Sequence, residues 1–148
     1  MEKKKIKLYL NDCREIIPKI INDISNPIIV SDPPFNIGYK YNTYKDRMKE
    51  DEYYNFLKEI FEKCPSVIIH YPENLYKIAI KLNKAPTKVV SWVYNSNTAK
   101  QHRDIAFFDI KPDFNKVKQP YKNLNDKRIQ ERIARGIGGG KIIRLVEC

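Results

Sequence analysis

Apolar residues in this chain either alternate with polar ones or recur at spacings of three and four, and the two habits separate strands from helices. Residues 6–10 (IKLYL) alternate and predict a strand. Asn11 and Asp12 follow, with Glu15 three residues past Asp12, a helix-start pattern. Ile16, Ile17, Ile20 and Ile21 then form one helical face, which Pro18 limits or bends. After Pro27, Ile28-Ile29-Val30 is an unbroken apolar run and predicts a strand buried on both faces. It runs into Ser31-Asp32-Pro33-Pro34-Phe35, where the paired prolines stop strand and helix alike. Residues 36–48 are polar, aromatic and basic, and read as a loop.

The strongest helical pattern spans residues 50–64, with Tyr53, Tyr54, Leu57, Ile60, Phe61 and Cys64 along one face. Residues 66–70 (SVIIH) read as a buried strand, and residues 72–82 as a helix carrying Leu75, Ile78, Ala79 and Leu82. Residues 87–94 and 104–110 predict two further strands. Beyond them come Pro112, Pro120, a basic helical stretch near 126–135 and a glycine cluster. Strands that alternate with helices predict an α/β fold, a Rossmann-like open sheet with mainly parallel strands. Ligands bind such sheets beyond the carboxyl ends of the strands, which places Asp32-Pro33-Pro34-Phe35 at the functional edge. Residues 1–110 are the expected α/β part, and 111–148 a basic, loop-rich segment. There is no internal repeat or low-complexity linker.

The length of 148 residues favours one domain, and 42% hydrophobic with 31% charged residues is a globular composition. No apolar run is long enough to cross a bilayer, and no apolar segment follows the lysines near the start, so a cytoplasmic protein without a membrane partner is expected. Cys13, Cys64 and Cys148 are odd in number and widely spaced, which excludes a disulfide framework and the common zinc spacings. The net charge of +10 changes the picture more. Residues 101–148 hold eleven basic against six acidic side chains. That excess suits a polyanionic partner, nucleic acid first, although a lysine-rich surface from an AT-rich genome explains it equally.

Asp32-Pro33-Pro34-Phe35 carries the candidate chemistry. Proline fixes φ and removes N–H donors, so carbonyls at such a turn face outward without internal partners. A carboxylate and an aromatic plate stand beside them. Acceptors next to a ring face suit the exocyclic amino group of a planar heterocycle. Asp32 and the Pro33 carbonyl can accept its two hydrogens while Phe35 stacks on the ring. Holding both hydrogens aims the nitrogen lone pair at an electrophile, and the carboxylate stabilises the positive charge that develops. The alternative is a rigid turn that merely ends a strand.

The segment Ile28-Ile29-Val30-Ser31-Asp32-Pro33-Pro34-Phe35-Asn36-Ile37-Gly38-Tyr39 resembles the catalytic motif of the S-adenosylmethionine-dependent DNA amino-methyltransferases. The resemblance extends over most of residues 5–141 and is strongest at 27–46. It is to the subgroup in which this motif lies near the N-terminus, followed by an aromatic-basic loop, a helix, a strand and a Trp-bearing strand like Val90-Ser91-Trp92-Val93-Tyr94. It implies S-adenosylmethionine as donor, double-stranded DNA as substrate and a flipped adenine, or cytosine, as target. Asp32, Pro33, Pro34 and Phe35 are then the catalytic turn, with Asp32 also beside the cofactor. Tyr39, Lys40, Tyr41, Tyr44 and Lys45 lie in a loop that contacts DNA or closes over the site.

The resemblance is loose after residue 95, and the chain departs from that subgroup in its cofactor-binding half. The family's C-terminal half carries a lysine-proline element and a strand ending in Asp-Pro-Phe with a glycine-rich turn, and nothing here matches it. Gly136-Ile137-Gly138-Gly139-Gly140-Lys141 is neither G-x-G-x-x-G nor a P-loop, and reads as a flexible loop. The tail Arg144-Leu145-Val146-Glu147-Cys148 can be encoded by a string that, read one nucleotide later, spells Asp-Trp-Trp-Asn, a segment that precedes the cofactor half in related enzymes. The expectation is therefore a frameshifted or split methyltransferase whose partner is a separately encoded cofactor-binding half. A catalytically inactive remnant or a plain DNA-binding module is the alternative.

His70 and His102 are lone histidines and suggest no metal; His70 is expected to pack at a strand end and Trp92 in the core. Residues 111–122, with Phe114 and Tyr121, mix stacking and phosphate-binding types but equally suit a solvated loop. Lys127, Arg128, Arg132 and Arg135 fall near one helical face, where Arg128 and Arg132 are candidate phosphate contacts.

Overall fold

The computed structural model describes residues 6–42, 44–93, 102–113 and 125–135, with Arg132 described by its backbone alone. Met1, Tyr94, Phe114, Tyr121, the glycine cluster and the tail therefore lie outside the described residues, as does the Arg132 side chain. The chain divides into two compact units, Met1–Lys111 and Pro112–Cys148.

In the first unit, helix α1 (Cys13–Ile20) begins where Asp12 accepts the Arg14 N–H at 2.9 Å. The Arg14 guanidinium closes on the same carboxylate and holds its pKa down to about 2. Pro18 sits inside α1, which ends two residues later in a 3₁₀ turn, Ile21–Asp23. Strand β1 (Ile29–Ser31) leads to the proline turn. Helix α2 (Glu50–Phe61), strand β2 (Ser66–His70) and helix α3 (Pro72–Leu82) follow. Asn83 stops α3 in the left-handed conformation at φ 53°, and the Asn83 and Lys84 N–H groups close onto the last turn. Strands β3 (Lys88–Val93) and β4 (His102–Phe108) complete the unit.

The sheet order is β1-β2-β4-β3. Strand β1 runs parallel to β2, whereas β4 is antiparallel to both β2 and β3. The sheet is thus mixed, not mainly parallel. Eight residues separate β3 from β4, too few for the crossover that parallel neighbours need, so β4 must return antiparallel. The site-bearing pair β1–β2 keeps the parallel arrangement.

Alternation gives the sheet one buried and one partly buried face. Ser66, Ile68, His70, Ala106 and Phe108 are buried, and the apolar ones join Tyr53, Leu57, Ile60, Phe61, Leu75, Ile78 and Leu82 from α2 and α3 in a single core. Burying a side chain such as Leu57 is worth about 1.5–3 kcal/mol. Val30, Val67, Ile69, Ile105 and Phe107 alternate onto the other face, where none is fully buried. Strand β1 is an edge strand with Val30 70% exposed, so the expected burial on both faces is not observed. Trp92 likewise is half exposed on β3, the other edge strand, and not in the core. Residues 6–10 form no strand; Ile6, Leu8 and Leu10 are exposed, because no described strand offers them a partner.

The second unit is described only by a short segment containing helix α4 (Lys127–Ala134), which Asp126 caps by accepting the Arg128 N–H at 2.9 Å.

Candidate active site

Strand β1 delivers Asp32 to the carboxyl edge of the sheet. Strand β2 ends at the same edge with His70, and β4 begins there because it runs the opposite way. Asp32 leaves its carboxylate half exposed, while Pro33 is buried and anchors the turn. All four residues of the predicted turn are therefore together at one strand end.

The turn is held from below by side chains that sequence patterns did not single out for this role. The Tyr53 hydroxyl donates to the Pro34 carbonyl at 2.6 Å and lies 2.8 Å from His70 Nε2. His70 Nδ1 accepts the Tyr71 N–H at 2.8 Å, with the Asn74 amide at 3.2 Å. His70 is fully buried, as expected for a strand-end histidine, but it also belongs to this polar network. Burial raises the Tyr53 phenol well above its ordinary pKa, so it remains a hydroxyl donor. The Phe35 ring packs on His70 at 4.6 Å and on Tyr71 at 5.0 Å between ring centres.

A second unforeseen group, Asp46, organises the loop after the turn. Its buried carboxylate accepts N–H bonds from Asn36 (2.9 Å), Ile37 (3.2 Å) and Tyr39 (3.0 Å), which compensates its desolvation. Asn36 adopts φ 58°, and its side-chain amide bonds to the backbone of Met48 in both directions. Gly38 turns at φ 78°, where a Cβ would come within 3.3 Å of the Arg47 guanidinium. A single bridge between Lys40 and Lys45 closes the loop.

This pinned loop stacks Tyr39 on Tyr41 at 4.9 Å and Tyr41 near Tyr44 at 5.9 Å. Tyr39 and Tyr41 are exposed, whereas Tyr44 is partly buried and its phenol pKa is raised by that burial. Lys40 and Lys45 flank the aromatic group and line an open depression of 630 Å³ with Tyr39, Tyr41, Tyr44 and Arg47. A smaller depression of 210 Å³ is lined by Asp32, Pro33, Phe35, Tyr39, Tyr71 and Arg103. The aromatic-basic loop and the proline turn therefore adjoin one another.

Arg103 of β4 completes the site. Its guanidinium carbon is 4.5 Å from the Phe35 ring centre, and Nη1 is 3.6 Å from Asp32 Oδ2. The other predicted cations, Arg128 and Arg132, belong to α4 in the second unit. Arg128 is largely exposed and reaches back to its capping Asp126 at 3.2 Å.

Fold and site together define an α/β protein with a proline-locked acidic turn and an aromatic plate at the carboxyl edge of its sheet. Among known proteins, the chain is similar to the Type II methyltransferase M.HpaI of Haemophilus parainfluenzae, at 25% identity over 136 aligned residues and 74% of this chain. The chain spans 43% of that protein's length. The likeness supports a distant relationship to methyltransferases. No family model matches the chain, and no solved structure matches it. Among the described residues, no helix is long and apolar enough to cross a membrane.

Proposed function

We propose that this chain is the catalytic-motif part of a DNA amino-methyltransferase, which methylates the exocyclic amino group of a flipped adenine, or cytosine, in double-stranded DNA. The observation that carries this reading is the turn itself. Asp32 presents a half-exposed carboxylate beside the Phe35 ring at the carboxyl edge of the sheet. The Pro34 carbonyl is taken by Tyr53, so the second acceptor for the amino group is the Pro33 carbonyl. Asp32 and Pro33 orient the two N–H bonds, and Phe35 stacks on the base. Tyr39, Lys40, Tyr44 and Lys45 lie against the DNA beside the flipped nucleotide, with the lysines on phosphates and the tyrosines on sugars or bases. Arg128 and Arg132 add phosphate contacts from the second unit.

S-adenosylmethionine, the donor implied by the family resemblance, supplies an electrophilic methyl group when bound. The described residues offer it Asp32 but no glycine-rich strand–turn–helix cradle. They form the amino-acceptor side of a methyl transfer and not its donor side. The edge of β1, where Val30 is exposed, is where a separately encoded cofactor-binding half would attach.

A second reading is a DNA-binding module without methyl transfer, favoured by the absence of a donor cradle among the described residues. Calorimetry with S-adenosylmethionine and with duplex DNA, followed by transfer of labelled methyl groups to unmethylated DNA, separates the two. Asp32-dependent transfer, lost in Asp32→Ala, supports the enzyme, with the chain alone or joined to its complementing half. DNA binding without donor binding or transfer supports the module, and binding of neither ligand overturns both.

A further inference from the structure

The proposed site already holds a flat donor, and it belongs to the protein. Arg103, the second residue of β4, sets its guanidinium carbon 4.5 Å from the Phe35 ring centre and 5.8 Å from that of Tyr71. Its Nη1 lies 3.6 Å from Asp32 Oδ2. A guanidinium is planar and carries N–H donors around its rim. The amino-bearing edge of adenine or cytosine has the same two properties. The carboxylate and the ring proposed to receive the base are therefore engaged by a group of matching shape and donor character.

We propose that Arg103 is a placeholder for the target base: its guanidinium occupies the seat between Asp32 and Phe35 and leaves it when the base enters. This inference rests on the base-binding reading above and names the residue that gates it. A base stacked on the ring needs the separation that the guanidinium now takes, so the two cannot share that position. His70 packs on the same ring from a fully buried position and cannot give way. Arg103 stands nearer the surface of the site, its side chain 27% exposed and that of Asp32 48% exposed. At 3.6 Å the pair is longer than a hydrogen bond, and partly exposed ion pairs are weak.

The placeholder also discriminates among bases. An amino-bearing base replaces the two contacts of Arg103 that define the seat, stacking on Phe35 and donating to Asp32. Thymine would bring a carbonyl oxygen to the carboxylate, setting acceptor against acceptor, and would leave Asp32 unpaired after expelling its cation.

The test titrates the full 148-residue chain, labelled with ¹⁵N-arginine, with adenosine, cytidine and thymidine. The Arg103 side-chain N–H signal of the unmutated protein is expected to move in step with adenosine or cytidine saturation and to ignore thymidine. Arg103→Met is expected to bind adenosine several-fold more tightly, because a competitor is gone, and Asp32→Ala several-fold more weakly. If Arg103→Met binds adenosine equally or less well while Asp32→Ala still weakens it, the placeholder is overturned and the base-binding reading stands. If adenosine binding is no better than thymidine binding and is indifferent to Asp32→Ala, the base-binding reading falls and the placeholder falls with it.

Discussion

The Tyr71 N–H donates to His70 Nδ1 at 2.8 Å, so that nitrogen carries no proton and a neutral ring keeps its single proton on Nε2. Nε2–H then donates to the Tyr53 oxygen at 2.8 Å, and the phenol passes its own hydrogen to the Pro34 carbonyl at 2.6 Å. The chain of donors has one direction and ends on the proline turn. Tyr53→Phe would leave the Pro34 carbonyl and the His70 N–H without this partner, each at a cost of about 1–3 kcal/mol, and should lower the urea midpoint accordingly. The same hydroxyl makes a pH prediction. Its folded-state pKa is raised by burial above the ordinary 10.0, so its contribution is complete below that value and fades as pH rises beyond it. Stability above pH 10 should therefore fall less steeply in Tyr53→Phe than in the unmutated chain. Asp46→Asn should loosen the loop in a different way, because one amide oxygen replaces a carboxylate that serves three N–H groups. Faster amide exchange at Asn36, Ile37 and Tyr39 is the expected readout, and unchanged exchange would deny Asp46 its organising role. The proline turn at the end of β1 was legible in the sequence because its four residues are consecutive. The roles of Tyr53, Asp46 and Arg103 were not, since each meets the turn or its loop across seven or more residues of chain.

Helices α2 and α3 show what periodicity can and cannot carry. Tyr53, Leu57 and Ile60, like Leu75, Ile78 and Leu82, recur at helical spacing and occupy the core. Leu57 is completely buried, and Leu57→Ala should destabilise the fold by about 2–5 kcal/mol, readable as a lower denaturation midpoint with an unchanged slope. Strand β2 and helix α3 fall at the residues the pattern predicts. Strand β1 exposes the limit. An unbroken apolar run such as Ile28-Ile29-Val30 predicts a strand, and it does not say how much of that strand is buried. Val30 is exposed at an edge, and Ile6, Leu8 and Leu10 are exposed with no strand beside them. The antiparallel return of β4 could have been read from the short connection before it, which alternation of strands and helices had obscured.

For the molecule as a whole, the net charge of +10 suits the proposed DNA partner. The surplus is greatest in residues 101–148, and Lys127, Arg128 and Arg135 on or beside α4 are exposed. If Lys45 and Arg128 each neutralise one phosphate, then Lys45→Ala and Arg128→Ala should weaken binding to any duplex sequence. Each should also reduce the slope of log affinity against log salt by about 1. Loss of affinity without a change of slope would remove that residue from the phosphate contacts. On the proposed function, the Asp32–Phe35 turn receives an amino-bearing base taken out of the helix. An unpaired base costs least to extrude, so two duplexes that differ only in one unpaired adenine or thymine present the question directly. Several-fold tighter binding to the duplex with unpaired adenine is expected, with that preference lost in Asp32→Ala. Equal binding of the two duplexes, or a preference that survives Asp32→Ala, would contradict it.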